Sequence, residues 1–365
     1  MRNGYGHMII DHTVTRLRDE AAKRQERLRA LKTKDDALSY QKNARQIIQQ
    51  AFGPFPEKTP LNARVTGQVQ GDGYRIEKVL FESRPGFLVS ANLYLPEISG
   101  KVPCVLGTCG HSPEGKSSQL YQSFCARLAH AGFAVFVFDP INQGERDQYV
   151  QIQDRSLVNQ PTHAHNMMGK QLELLNDGFH TWRAWDGIRA LDYLLSRPEV
   201  DTTRVGLTGN SGGGTLSTWL WALDDRFTMG APSCFVTTFL RNLENELPAD
   251  AEQYPYGVVG RGLDMADFII AGAPKPALVM GQRYDFFDPR GHQQAVDEII
   301  DFYRLIGAPE GTAVGFRGPR THGYWDENQR EMVYFFAKYA GIENVEILEN
   351  PEILPVEDLW ATPKG

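Results

Sequence analysis

The sequence has no excess of basic residues and no long apolar run. Its 365 residues include 38 Lys and Arg against 45 Asp and Glu, which gives a formal net charge of −7. Nucleic-acid binding depends on surplus positive charge that contacts phosphates, so we expect no nucleic-acid partner. No apolar run is long enough to cross a bilayer, so we expect no membrane partner.

Cysteine is also scarce. The four cysteines form no Cys-x-x-Cys pair and have no histidine at zinc spacing, which predicts free thiols packed as small apolar residues. Residues 1–12 lack the basic-then-apolar pattern of a secretory signal. The chain as given is therefore expected to be cytoplasmic. A secreted or periplasmic protein would require that a signal had been removed.

The chain divides into three parts. Residues 11–52 have a charged helical pattern that Gly53 and Pro54 end, which predicts a helical extension over residues 1–60. This extension would either cover the main domain or mediate self-association, so a homo-oligomer is left open. The main domain spans residues 61–341. Residues 342–365 are acidic and interrupted by prolines, which indicates a surface tail or a linker.

The main domain begins with a hairpin pattern and continues with alternating strands and helices. Residues 74–81 and 87–95 are predicted strands joined by a turn at residues 84–86. Repeated strand–helix units then predict an α/β fold with a mostly parallel sheet and helices on both faces. The predicted strands are 102–107, 134–139, 205–208, 277–281 and 313–316, and the predicted helices are 120–130, 182–195, 215–223, 296–306 and 330–339.

Two long segments interrupt the alternation, residues 141–176 and 237–272. Both are rich in loops and aromatics, and both follow the carboxyl end of a strand. Ligands bind at that edge of an open α/β sheet. We therefore expect the two insertions to form the walls of a pocket.

The strongest motif is Gly209-Asn210-Ser211-Gly212-Gly213, which matches the nucleophile-elbow pattern G-x-S-x-G. The glycines are needed because the chain reverses sharply there and leaves no room for Cβ atoms. A predicted strand precedes the motif and a predicted helix follows it. This context favours Ser211 as a catalytic nucleophile over a capping serine in a glycine-rich turn.

A serine nucleophile needs a base and an orienting acid, which follow it in the order Ser, Asp or Glu, His. Asp285 and Asp288 both follow the predicted strand 277–281. Asp288 precedes Pro289 and a helix, so its carboxylate is expected to cap that helix. Asp285 is therefore the preferred acid. His322 lies between the last strand and the last helix and is the preferred base.

Two backbone N–H groups should hold the oxyanion that develops on the substrate. One is expected from Gly212, directly after the nucleophile. The other is expected from the loop after the strand 102–107, where the His111 amide is the predicted donor and Gly110 allows the close approach.

The pair His163 and His165 invites a metal interpretation, but no third and fourth ligand is evident from the spacing. A pocket-lining or structural loop is preferred, and neither a metal nor a cofactor is expected. Polar and aromatic residues of the insertions and nearby turns are candidates for substrate contact. The predicted pocket residues are Gly110, Asn210, His165, Trp182, Glu246, Glu252 and Tyr324.

Together these motifs resemble the acetyl-xylan-esterase-like and dienelactone-hydrolase-like branch of the α/β-hydrolase superfamily. The resemblance runs from about residue 60 to residue 341. One departure is Cys109-Gly110, where many relatives carry His-Gly; the oxyanion hole should survive because its donors are backbone amides. The motifs that carry the resemblance are residues 110–116, Asp139 with residues 144–146, and residues 209–214, 247–250, 285–288 and 322–324.

The resemblance implies an eight-stranded α/β-hydrolase sheet and metal-free hydrolysis of carboxylic esters in the domain 61–341. It favours a carbohydrate ester as substrate, most simply an acetyl ester, although other small-molecule esters remain open. The alternatives are a methylesterase on acidic sugars and a prolyl-oligopeptidase-like peptidase. A non-catalytic binding scaffold is disfavoured because the Ser, Asp and His set is complete.

Overall fold

The computed structural model describes residues 6–247 and 249–365, and its centre is one mixed sheet. The nine strands found there follow the order β1-β2-β3-β5-β4-β6-β7-β8-β9. In chain order the strands are β1 (Arg64–Gln70), β2 (Tyr74–Arg84), β3 (Phe87–Pro96), β4 (Val102–Thr108), β5 (Ala134–Phe138), β6 (Val200–Asn210), β7 (Met229–Ser233), β8 (Ala277–Tyr284) and β9 (Ala313–Thr321).

Helices cover both faces of this sheet. Two extended apolar clusters, one on each face, form the core between the sheet and its helices. The helices are α1 (Met8–Ala30), α2 (Lys34–Phe52), α3 (Gln119–His130), α4 (Pro161–Glu173), α5 (Phe179–Ser196), α6 (Gly212–Leu223), α7 (Phe239–Glu244), α8 (Met265–Ala271), α9 (Pro289–Leu305) and α10 (Asp326–Ala340).

The sheet confirms the predicted fold class, with one strand more than the resemblance implied. Strands β1, β2 and β3 pair antiparallel, and β5, β4 and β6 to β9 run parallel. The predicted hairpin is present as β2 and β3. Two strands were not predicted: β1, which is mostly exposed, and the five-residue β7, whose sequence contains glycine and proline.

The predicted helix over residues 11–52 is two helices. The chain breaks between Ala30 and Lys34, where Thr33 accepts a hydrogen bond from the Asp36 amide and Asp36 accepts one from the Thr33 amide. This reciprocal capping starts α2 as a separate element. The short polar break has no Gly or Pro, so the pattern did not show it.

The N-terminal extension packs against the main domain. Ile48 and Phe52 of α2 are fully buried in the same apolar cluster as the sheet. Arg24 of α1 is buried and forms ion pairs with Asp267 of α8 (2.6 Å) and Glu298 of α9 (2.7 Å). Of the two predicted roles, the extension therefore fulfils at least that of a cover.

The C-terminal segment also packs against the domain, so it is an anchored surface segment. Arg127 of α3 donates to the carbonyl oxygens of Leu348 and Glu349. Leu359 is fully buried. The four cysteines are free and buried, as predicted. Within the described residues, no helix is long and apolar enough to cross a membrane.

Candidate active site

Ser211 occupies a sharp turn between β6 and α6. Its φ of 60° and ψ of −123° are strained for a residue with a side chain. Its amide donates to the Ser233 carbonyl oxygen of β7 at 3.0 Å. A Cβ on Gly213 would lie 2.1 Å from the Thr108 carbonyl oxygen, so the neighbouring strand excludes any side chain there. The strand–turn–helix context predicted for this motif is present.

Asp285 and His322 lie side by side. They follow β8 and β9, which are parallel neighbours, so both fall at the same edge of the sheet. His322 Nδ1 lies 2.8 Å from Asp285 Oδ1, and this carboxylate is 2% exposed. The Phe287 amide also donates to Asp285 Oδ1 at 3.0 Å. The imidazole stacks on Phe286, with ring centroids 4.0 Å apart.

Asp288 has the local role that the sequence suggested. Its carboxylate accepts hydrogen bonds from the amides of Arg290 and Gly291 in the first turn of α9. The Arg290 guanidinium and the Asn245 amide also donate to it, and these bonds hold its pKa well below the ordinary value. The Asp288 carboxylate is therefore occupied by these hydrogen bonds and does not orient His322.

Ser211 and His322 line one open cavity of about 740 Å³ at the carboxyl edge of the sheet. Both insertions contribute to its wall, as predicted. Among the described residues that line it, none is Lys or Arg. The insertion residues at the cavity are Thr162, His163, Asn166, Leu247, Asp250 and Gln253.

The loop after β4 lies against the elbow. A Cβ on Gly110 would stand 2.6 Å from the Asn210 carbonyl oxygen and 3.2 Å from the Gly212 amide nitrogen. The two predicted oxyanion donors, the amides of His111 and Gly212, thus belong to adjoining backbone segments. Gln143, which was not predicted, donates to the carbonyl oxygens of Gly110 (2.6 Å) and Ser112 (2.8 Å).

The His111 side chain joins a cluster that the sequence did not reveal. His111 Nε2 lies 2.8 Å from Glu252 Oε1 and 3.2 Å from Asp250 Oδ2. His165 Nδ1 lies 2.9 Å from the same Glu252 oxygen, to which Arg183 also donates. His111, His165 and Glu252 are close enough to hold a metal ion, so His165 has the neighbouring ligands that spacing failed to show; His163 lies apart, at the cavity.

Burial and charge shape the acids of this cluster. Burial raises the pKa of Glu252, but the nearby His165 and Arg183 outweigh it and hold that pKa well below the ordinary value. Burial and the charge of Glu252 raise the pKa of Asp250 to about 6. Glu252 and His165 were predicted to contact substrate. The structure buries both behind His111, so they face the loop rather than the cavity.

Three further predictions about the pocket are wrong. Trp182 lies under Arg84 and donates to Asp177 (2.6 Å). Glu246 contacts His7, the residue just before α1 (3.4 Å). Tyr324 is 1% exposed, and its hydroxyl lies 2.7 Å from Thr208 Oγ1 beneath the elbow. These aromatic and acidic residues stabilise the scaffold around the cavity. Residue type alone did not separate such roles from substrate contact.

Residues 60–258 match the family model described as acetyl xylan esterase (AXE1). The chain belongs to the acetyl xylan esterase family. The match includes the elbow and the loop after β4 and ends before Asp285 and His322. Family membership and fold together make this protein an α/β-hydrolase and a carboxylic-ester hydrolase, as the sequence predicted.

Known proteins similar to the chain are esterases and hydrolases. The Bacillus subtilis (strain 168) protein YtaP, provisionally named a hydrolase, is 23% identical over 307 residues, covering 79% of this chain and 96% of its own. The structure of methylesterase BT1017 aligns with a TM-score of 0.73 and 22% identity, covering 95% of this chain and 74% of its own. The structure of an acetyl xylan esterase from Paenibacillus sp. R4 aligns with a TM-score of 0.54 and 19% identity, covering 84% of this chain and 96% of its own.

Proposed function

We propose that this enzyme hydrolyses acetyl esters of a neutral carbohydrate through an acyl-enzyme on Ser211. The observation that carries the proposal is the convergence of Ser211, His322 and the Gly110–Gly212 contact on one cavity. Family membership supports the ester chemistry. The open cavity of about 740 Å³ has room for a sugar unit beside the nucleophile.

In the proposed mechanism, His322 takes the proton of Ser211 as the hydroxyl attacks the ester carbonyl. Asp285 holds the His322 ring through Nδ1 and stabilises the positive charge that develops on it. The amides of Gly212 and His111 donate to the oxyanion. His322 then protonates the leaving sugar oxygen as the ester C–O bond breaks, and water activated by the same imidazole releases acetate from Ser211.

The charge of the cavity supports a neutral sugar. Asp250 places a carboxylate at the cavity, and the described lining residues include no Lys or Arg to balance it. A free carboxylate on the substrate would meet like charge without a fixed cation, which disfavours its binding. Asp250, Asn166 and Gln253 instead offer acceptors and donors for sugar hydroxyl groups.

A methyl ester of an acidic sugar is the second candidate. Its support is the alignment with methylesterase BT1017, which covers 95% of this chain. In such a substrate the sugar carries the acyl group and methanol leaves. Esterification removes the charge of the reacting carboxyl but not that of its unesterified neighbours in a polymer.

A substrate screen separates these candidates. Purified enzyme is offered acetylated xylan, methyl-esterified pectin, p-nitrophenyl esters of increasing acyl length and peptide amides, and released acetate, methanol, p-nitrophenol and amines are measured. Release of acetate without methanol supports the proposal. Methanol release, cleavage of long acyl chains alone, or cleavage of amides would refute it. Ser211→Ala is the control, and it should release nothing above background.

The location and assembly of the chain stay predictions. Cell fractionation tests the location, and sedimentation of the purified protein tests for a homo-oligomer.

A further inference from the structure

A buried charge cluster lies directly behind the oxyanion loop, defined here as residues 109–112. Glu252 is its centre, and three nitrogen atoms converge on one of its oxygens, Oε1. His111 Nε2 lies 2.8 Å from that oxygen, His165 Nδ1 lies 2.9 Å from it, and Arg183 Nη1 donates to it. Glu252, His165 and Arg183 have side chains at most 2% exposed. Such a cluster is costly to bury, which calls for an explanation of its place.

The contacts of His165 fix its ring in place. Its Nε2 lies 2.8 Å from the Ile141 carbonyl oxygen. Its Nδ1 faces both Glu252 Oε1 (2.9 Å) and His111 Nε2 (3.2 Å). Because both ring nitrogens have partners, His165 is a fixed support for Glu252 and for the His111 ring.

The cluster and Gln143 hold three carbonyl oxygens and the His111 ring of the oxyanion loop. Arg183 Nη2 donates to the Cys109 carbonyl oxygen at 3.1 Å, and Gln143 donates to those of Gly110 and Ser112. Glu252 holds the His111 ring, which lies so close to the elbow that a Cβ on Gly212 would stand 2.7 Å from its Cε1. The loop is thus fixed from behind, on the side away from the cavity.

We propose that Glu252, held by Arg183 and His165, is a positioning residue that aims the His111 amide at the oxyanion. The proposal rests on the function proposed above, because it needs Ser211 to form a tetrahedral intermediate. An oxyanion donor stabilises the transition state only if it is already in place when charge develops. Glu252 supplies that rigidity without contacting substrate.

A metal ion is the competing occupant of this cluster. Its ligands would be His111 Nε2, His165 Nδ1 and Glu252 Oε1. Arg183 already donates to that Glu252 oxygen and balances its charge, so the pair is complete without an ion. Measuring the metal content of the purified protein decides between the two.

The first test is Glu252→Gln, which keeps the side-chain shape and removes the charge. We expect kcat for p-nitrophenyl acetate to fall by about 10²–10³-fold, the typical loss of one oxyanion donor. KM should change little, because the ground-state ester does not use the oxyanion contact fully. Affinity for a boronic acid, whose adduct with serine is tetrahedral and anionic, should fall in parallel with kcat.

Asp267→Asn is the matched control. Asp267 is also a fully buried carboxylate paired with a buried arginine, Arg24, but it lies at the N-terminal helices. This variant should lower Tm and leave kcat per folded molecule and boronic-acid affinity unchanged. If Glu252→Gln behaved like this control, with a lower Tm and unchanged kcat and boronic-acid affinity, Glu252 would be merely structural and the proposal would be overturned.

A second measurement needs no active variant. Elemental analysis of the intact wild-type protein should find no stoichiometric metal. One equivalent of bound metal would overturn the proposal even if Glu252→Gln failed to fold. If the wild type cleaved no ester, the proposed function would fail, while the metal content would still report on the cluster.

Discussion

Asp285 Oδ1 lies 2.8 Å from His322 Nδ1, whereas Asp288, three residues later, turns its carboxylate onto the first turn of α9. The two aspartates follow the same strand and differ in the hydrogen bonds that their carboxylates accept. One is left to orient an imidazole, and the other caps a helix. The same loop thus separates a role in the reaction from a role in stability.

Separate substitutions of the two aspartates test this difference in role. Asp285→Asn should lower kcat by about 10⁴-fold, because the amide favours the wrong imidazole tautomer and cannot stabilise its charge. Asp288→Ala should keep kcat within a few-fold and lower the free energy of unfolding by about 1–2 kcal/mol through the lost cap. Ester hydrolysis and denaturant unfolding measure both. Equal losses of activity in the two variants would contradict the assignment of the acid.

Ser211 should be the site of covalent labelling. A fluorophosphonate should modify the wild type once, and peptide mass spectrometry should place the adduct on Ser211. Ser112 also lines the cavity and is the internal comparison, because its hydroxyl donates to Glu114 (2.6 Å) and not to a histidine. A label on Ser112, or on Ser211→Ala, would contradict the proposed nucleophile.

Gly110 should tolerate no side chain. In Gly110→Ala the new Cβ would lie 2.6 Å from the Asn210 carbonyl oxygen and push the oxyanion loop away from Gly212. We expect kcat to fall by about 10²-fold or more, the scale of a lost oxyanion donor. Gly260→Ala is the control, because its nearest atom would be 3.8 Å away. Kinetics of both variants would show whether the close approach matters.

Asp250 should make stability depend on pH in an unusual direction. Its pKa is raised to about 6, so the native state holds its proton more tightly than the unfolded chain does. The cost of ionising it is absent near pH 4 and fully present above pH 6, so its contribution to stability falls as pH rises. Asp250→Asn should therefore raise the free energy of unfolding by about 1–3 kcal/mol at pH 7.5, because the Asp250 pKa is raised by about two units. Near pH 4 the same substitution should leave the free energy of unfolding unchanged.

The contribution of Asp201 to stability depends on pH in the opposite direction, so Asp201 serves as the control for that experiment. Hydrogen bonds from Thr203 and Arg204 lower its pKa to about 2. Its stabilising contribution is present above pH 4 and lost as pH falls towards 2. Asp201→Asn should therefore be less stable than the wild type at pH 7.5. Thermal unfolding across pH measures both variants, and shifts of the same sign in the two would contradict the argument.

The sequence predicted those parts of the site that local pattern determines. Ser211 is marked by its glycines, and Asp285 and His322 are marked by strands whose carboxyl ends must share an edge. The Glu252–Arg183 contact joins residues 69 apart on different elements, and no local pattern encodes it. The prediction that Trp182 contacts substrate was wrong for a related reason, since an aromatic side chain is equally suited to a scaffold and to a sugar site.

The same division holds for the fold. Strands with continuous apolar runs, such as β4 and β5, were predicted, because burial on both faces leaves a clear signal. β7 was missed because its five residues include Gly230 and Pro232, which are typical of turns. Its place in the sheet comes from pairing with β6 and β8, which is long-range information.

The anchored C-terminal segment has a consequence for how the enzyme matures during synthesis. Glu145, in the loop after β5, pairs with the fully buried Lys116 and accepts hydrogen bonds from the amides of Ala361 and Thr362. Those two amides leave the ribosome only after every strand of the sheet has been made. A nascent chain can therefore assemble its sheet early, but it completes the polar contacts beside its oxyanion loop only after residues 361 and 362 have emerged.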